Sequence, residues 1–437
     1  MSSIFVDSIK QALQGVGAAL NADPELAISA AGRDIHFALK SEGPNLIHVR
    51  VQQGSFTISE GASGDEAFAL TAPEDAWREF FATQPRAPFQ SYWGMMRCLG
   101  PENGVKIEGD FEAAAKNARV WRLVLDLIRD VLHNRTKPPL EAVFYDDDEA
   151  DEDSIVGRYT WIDTLRFGRC KIFYDMAGTG PQAVLLLHTA GADARQLHSL
   201  LNNKVLQERC TMYAFDLPGH GRSFPGTKTL PEGYGLDEDS YIDVIRQFIR
   251  KLNLSRPIVS GASMGGHVCL AVAIRAAELG VSGVIPCEGC DHLPTSPPIY
   301  GMGADLGESI LNPERVCGMI SPTSPAMYHR LIWWIYSSQA AKVFPGDLQF
   351  YFESWDGRDR VHLIDTKRCP VYMLTGEYDY SCTPTLSRAT AAKIPGAVFT
   401  EMKGLGHFPM TEDPKVFLPY FLKGLDFIKE AHTAENN

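Results

Sequence analysis

The sequence predicts an α/β chain: a mostly parallel sheet with helices on both faces and a helical cap, preceded by a smaller α+β body. Three observations lead there. From residue 183 onward, short apolar and β-branched runs alternate with stretches long enough for crossover helices. Several of those runs end in loops bearing Gly, Ser, Asp or His. Before residue 135 the pattern differs, with strict apolar/polar alternation between helical segments, as in an antiparallel sheet covered by helices.

The first body is expected over residues 1–135. Phe5, Ile9, Leu13, Val16 and Leu20 have helical spacing. Ile35, Phe37 and Leu39 then alternate with polar or small neighbours, and Ile47, Val49 and Val51 alternate with His48, Arg50 and Gln52. Phe56 and Ile58 follow Gly54, a hairpin turn. Pro73-Glu74-Asp75 opens a helix, with proline and acids in its first turn. Val105 and Ile107 form a last strand, and a long helix runs from Phe111 to about His133. This order, closed by Val105-Lys106-Ile107-Glu108-Gly109-Asp110, resembles the sterol carrier protein type 2 family over residues 10–130. The resemblance implies a tunnel for an acyl or sterol-like molecule; the alternative is a domain that packs against its neighbour or forms a homodimer. Residues 136–156 read as an extended tether, because Pro138-Pro139 stops the helix and residues 146–153 carry seven carboxylates that repel one another.

Residues 157–437 carry the chemistry. Pro257-Ile258-Val259-Ser260 is a strand, His267–Ile274 is helix-compatible, and Gly261-Ala262-Ser263-Met264-Gly265 lies between them. A G-x-S-x-G at a strand-to-helix turn holds a serine hydroxyl out at the tip of a sheet, with the following backbone N–H groups, Met264 first, aimed at the space a tetrahedral oxyanion would occupy. Such a serine needs a base, and the base needs an orienting acid. The strand 370–376 leads to Glu377-Tyr378-Asp379, and the strand 397–402 to Gly404-Leu405-Gly406-His407. Upstream, the apolar strand 183–187 enters His188-Thr189-Ala190, and the strand 211–215 enters Asp216-Leu217-Pro218-Gly219-His220-Gly221-Arg222-Ser223.

These motifs, in this order, resemble the α/β-hydrolase superfamily over residues 157–430. The resemblance implies a triad of Ser263, Asp379 and His407, with an oxyanion hole from the N–H groups of Met264 and Ala190. His188 and His220 are structural in that pattern, and Asp216 ties down its turn. One departure is Thr189, where the family has glycine; its side chain narrows the entrance or adds a hydroxyl to the hole. Glu377 would face the same side as Asp379 on an extended segment. Glu288 and Asp291, after the strand 283–286, are further acids at the rim.

Residues 291–367 break the strand–helix alternation where this superfamily inserts a cap. The segment is proline-rich, then aromatic. Trp333, Trp334 and Tyr336 are candidate substrate contacts, and the substrate class expected is a fairly hydrophobic small molecule. The expected reaction is cleavage of an ester, lactone or thioester through an acyl-enzyme. A carbon–carbon (β-diketone) hydrolase, a hydrolase-like ligand receptor and a lipid-binding protein are the alternatives.

Composition narrows the classes. A net charge of −13 leaves no basic face for nucleic acid. Nine scattered cysteines suit a reducing compartment. Cys287-Glu288-Gly289-Cys290 has no second pair, so it reads as structural thiols rather than a zinc site. The acidic run lacks the glycine spacing of a calcium loop. No metal or organic cofactor is expected. With no secretory signal and no apolar stretch near the ~20 residues that span a bilayer, the expected location is cytoplasmic.

Overall fold

The computed structural model describes residues 4–42, 45–135, 153–230, 233–294, 296–297 and 308–435. The chain divides into two compact units, residues 1–144 with 297–318, and residues 145–296 with 319–437. The acidic run expected as a tether falls almost wholly outside the described residues.

In the first unit, β1 (Ile35–Lys40), β2 (Asn45–Gln52), β3 (Ser55–Ala62), β4 (Phe68–Thr71) and β5 (Lys106–Gly109) form a sheet in the order β3-β2-β1-β4-β5. Only the β1–β4 pair is parallel. Gln53 and Gly54 both take positive φ (48° and 81°), the conformation that closes a two-residue hairpin without splaying its strands. Phe37, Leu39, Ile47, Val49 and Val51 face a core shared with Val16, Trp77 and Trp121 from the helices. The expected long helix is two, Phe111–Lys116 and Ala118–Leu132, because Asn117 leaves helical geometry between them.

Helix Glu308–Cys317 follows the strand 283–287 in sequence but belongs to the first unit. Leu311 joins its core, and the buried Glu314 carboxylate pairs with Arg119 and Arg122. Of the cap expected over residues 291–367, the described residues 308–318 thus lie in the first unit and 319–367 in the second. A buried carboxylate needs cations around it, and Arg119 and Arg122 lie nearly 200 positions away, beyond what local pattern reveals.

The second unit is built on β6 (Val156–Thr164), β7 (Gly168–Ala177), β8 (Gln182–Leu187), β9 (Cys210–Phe215), β10 (Ile258–Ala262), β11 (Gly283–Cys287), β12 (Tyr372–Gly376) and β13 (Val398–Met402). Their order is β13-β12-β11-β10-β8-β9-β7-β6. All pairs from β9 to β13 are parallel, and β6 and β7 add an antiparallel edge. Strands buried on both faces need no polar alternation, hence the continuous apolar runs. β9 and β10 flank β8 on opposite sides. Their connections therefore diverge and open a crevice at the strands' carboxyl ends, where open parallel sheets bind ligands.

Candidate functional site

Ser263 follows the last residue of β10 with φ 58° and ψ −118°, a strained backbone for a residue with a side chain. Its N–H donates to Cys287 O at 3.0 Å, and its carbonyl accepts from His267 N at 2.9 Å, starting the helix Met264–Ile274. The motif's glycines are steric requirements. A Cβ on Gly261 would lie 2.8 Å from Leu187 O, and one on Gly265 3.0 Å from the same oxygen. Met264 is the first residue of the helix, so its N–H has no intrahelical partner.

Asp379, after β12, and His407, after β13, come together: His407 Nδ1 donates to Asp379 Oδ2 at 2.9 Å, and both side chains are buried. The other carboxylate oxygen accepts from the N–H groups of Ser381 (2.7 Å) and Cys382 (3.2 Å). The rival acids are engaged elsewhere. Glu377 bonds Lys403 Nζ and Gly404 N. Asp291 pairs with Lys393. Glu288 Oε1 accepts from Gly376 N at 2.8 Å, and burial, then the nearby Asp379 charge, holds its carboxyl well above the usual range. Among the described residues no hydrogen bond joins Ser263 Oγ to His407 in this resting arrangement, a contact that often tightens only with substrate.

The loop after β8 supplies the facing wall. The Thr189 N–H and hydroxyl both donate to Gln196 Oε1 at 3.0 Å, and Gly191 N–H donates to Asp347 Oδ2 at 2.8 Å. Neither acceptor takes the N–H of Ala190 between them. Tyr336 OH lies 2.6 Å from Thr189 Oγ1, and its ring sits edge-on to Phe408, next to His407. Thr189 and Tyr336 are thus gathered with the His407 loop. Trp333 is half-buried on the same helix face as Tyr336. Trp334 is not gathered: it is 51% exposed, with the Arg195 guanidinium over its ring. Two residues along a helix turn a side chain nearly to the opposite face.

His188 and His220 are structural. His188 Nε2 accepts from Leu217 N–H and Nδ1 bonds Thr189 O; burial, then His220, lowers its pKa to about 4, so the ring is neutral. His220 bonds Pro218 O through Nδ1 and Asp347 through Nε2. Burial disfavours its charged form, but Asp347 outweighs this and raises its pKa. Asp216 caps its own turn through the N–H of Arg222 and ties it to the loop after β8 through that of Ala194.

Three positioning residues escaped the sequence reading: Gln196, Asp347 and Glu412. Glu412 accepts from the N–H groups of Gly406 and Phe408, which flank His407. Burial pushes its carboxyl up to about 8. The only signal for Asp347 is a lone carboxylate inside an aromatic run; Glu412 and Gln196 carry none. A cavity of about 720 Å³ opens at the opposite end of the sheet, where β8, β9 and β10 begin, among Gln182, Cys210 and Ile258. It is far from any of these groups in the topology, since Ser263 closes the other end of β10.

Residues 184–419, more than half of the chain, match the sequence model of the alpha/beta hydrolase family. A dihydrolipoyllysine-residue acetyltransferase component of the acetoin cleaving system from Pseudomonas putida is 29% identical over 150 residues, 34% of this chain and 38% of that protein. The matches thus span about a third of the length of the first such relatives. A human (lyso)-N-acylphosphatidylethanolamine lipase is 26% identical over 254 residues, 50% of this chain and 72% of that protein. Among solved structures, a thermophilic esterase from Thermogutta terrifontis (22% identity, TM-score 0.52) matches 62% of this chain and 99% of its own. An enol-lactonase from Burkholderia xenovorans LB400 (18%, TM-score 0.52) matches 61% and 100%. At these identities the likeness is one of fold. Among the described residues, no helix is long and apolar enough to cross a membrane.

Proposed function

Because the chain belongs to the alpha/beta hydrolase family, we propose that it is a serine hydrolase that cleaves an ester, lactone or thioester bond of a fairly hydrophobic small molecule. The observation that carries this reading is the Asp379–His407 bond, set at the same sheet edge as a serine on a strained elbow. His407 donates its Nδ1 proton to Asp379, which leaves Nε2 as the basic nitrogen. In the proposed reaction Nε2 takes the Ser263 proton as Oγ attacks the substrate carbonyl. Asp379 steadies the imidazolium without taking its proton. The N–H of Met264, at a helix N-terminus, and that of Ala190, unclaimed by the acceptors of its neighbours, receive the oxyanion. His407 then protonates the leaving group and activates water to cleave the acyl-enzyme.

Tyr336 and Thr189 form the polar edge of the substrate wall, and Trp333 with the segment after residue 319 covers it. The lipase and esterase names among the relatives support an ester-type carbonyl. The test is labelling with a serine-directed fluorophosphonate, followed by a panel of esters, lactones, thioesters and β-diketones on wild type and Ser263→Ala. Stoichiometric labelling and turnover lost in the variant are expected. An unlabelled wild type, or a variant as active as its parent, overturns the reading. Cleavage of the diketone alone moves it to carbon–carbon hydrolysis, and a single burst without turnover moves it to a receptor.

A further inference from the structure

The first unit holds a polar cluster that the proposed hydrolase chemistry does not use. The alternation of β1 and β2 sends Phe37, Ile47 and Val49 into the core and His36, His48 and Arg50 to the other face. There His36 Nε2 lies 2.9 Å from His48 Nδ1. The loop after β3 brings Glu66 to the same point, with Oε2 4.0 Å from His48 Nδ1. One donor atom from each of His36, His48 and Glu66 lies within 4.8 Å of the other two. We infer that this face is a binding site for one divalent transition-metal ion, with zinc or cobalt as the fitting class, ligated by His36 Nε2, His48 Nδ1 and Glu66.

The surroundings are those of a ligand set. His48 Nε2 lies 3.1 Å from Ala62 O, an acceptor, so that nitrogen carries the proton and Nδ1 presents its lone pair to the centre. His36 Nδ1 makes no hydrogen bond as it stands, but Asp65 Oδ1 lies 3.3 Å from it, near enough to take a hydrogen bond once a proton sits there, as in carboxylate–histidine–metal arrangements. Asp65 is itself gripped by both terminal nitrogens of Arg50 (2.6 and 3.2 Å). Glu66 is aimed by the Ser63 hydroxyl (2.7 Å) and the Gly64 N–H (2.8 Å). In a tetrahedral site two imidazole nitrogens each about 2.0–2.1 Å from one ion are about 3.3 Å apart, so the 2.9 Å pair has to open by a few tenths of an ångström. On binding, His36 moves its proton from Nε2 to Nδ1, where Asp65 accepts it, and the metal replaces the histidine–histidine hydrogen bond. Two imidazoles and one carboxylate suit a borderline cation better than calcium or magnesium. The three ligand side chains are about one-tenth exposed, which leaves a path for the ion and room for a water as fourth ligand.

A second cluster, His267, Cys290 and Cys382 in the other unit, is fully buried and would hold a metal through two sulfurs. The experiment must separate the two. Full-length protein stripped with a chelator is titrated with zinc chloride by calorimetry and with cobalt chloride by visible absorption; folding is checked by circular dichroism. The expected result is one zinc equivalent at micromolar affinity or tighter, lost at least 100-fold in His36→Gln and in Glu66→Gln, and weakened about 10-fold or more in Asp65→Asn. The cobalt spectrum is expected to lack a thiolate charge-transfer band. Zinc uptake unchanged in folded Glu66→Gln, a thiolate band with cobalt, or no uptake below millimolar concentration overturns the assignment.

Discussion

Two aspartate–histidine pairs in the second unit are chemically the same and differ in what surrounds them. Asp379–His407 (2.9 Å) and Asp347–His220 (2.8 Å) are both buried. His220 spends both ring nitrogens, on Asp347 and on Pro218 O. Asp347 also accepts from Tyr234 OH and Gly191 N, so it clamps three segments together. Among the described residues His407 bonds through Nδ1 alone, and its loop is held from behind by Glu412. An aspartate–histidine pair serves proton transfer where one nitrogen stays open to a neighbouring nucleophile. Where both are bonded it is a rivet.

Substitutions that dissociate activity from stability break or sharpen this comparison. Ser263→Ala is expected to lower kcat on an activated ester by about 10⁶-fold and Asp379→Asn by about 10⁴-fold, with little change in urea midpoint. Asp347→Asn is expected to do the reverse. Leaving a buried histidine without its charge partner costs about 3–5 kcal/mol in urea unfolding, while kcat of the folded fraction stays within a few-fold. If Asp347→Asn abolished kcat at unchanged stability, the two pairs would have to exchange roles.

Glu412 sharpens the comparison through pH. Its folded pKa, about 8, lies above the ordinary carboxylate value, so the folded state keeps a proton that the unfolded chain releases. The stability it contributes is complete below about pH 4.5. It is lost by about 1.4 kcal/mol per unit as pH rises toward 8. Glu412→Gln is expected to remove that slope in chemical unfolding from pH 5 to 9. At pH 5 the variant is less stable by about 1–3 kcal/mol, because an amide cannot accept from both flanking N–H groups. Smaller still, Tyr336→Phe deletes the bond to Thr189 and is expected to cost about 1 kcal/mol in kcat/KM. Trp334→Ala, on the exposed face, is expected to change kcat/KM less than 2-fold, within the roughly 0.5 kcal/mol typical of surface positions.

Much of this site was legible in the residues because the chemistry demands them locally. The glycines beside Ser263 are needed because a Cβ on either would come within 3.0 Å of Leu187 O at the end of the neighbouring strand. Asp379 and His407 stand just past apolar strands that could be read without a structure. Which rings of the aromatic run share a face was not legible: the helix turns Trp334 outward, under the Arg195 guanidinium, and Tyr336 inward. Gln196 and Glu412 left no usable mark although they bond backbone within seven residues of themselves, because no motif announces them; Asp347 acts on the Gly191 loop 156 positions away.

The sequence by itself determined the strands, the elbow and the residue types of the candidate triad, because these follow from periods of 2 and 3.6 and from sterics between near neighbours. Only the tertiary structure decided which histidine stays open, which carboxylates burial pushes upward, and that residues 308–317 join the core of the first unit. Those outcomes depend on burial and on hydrogen-bond partners as distant as 192 positions, between Arg122 and Glu314, and no local pattern encodes them.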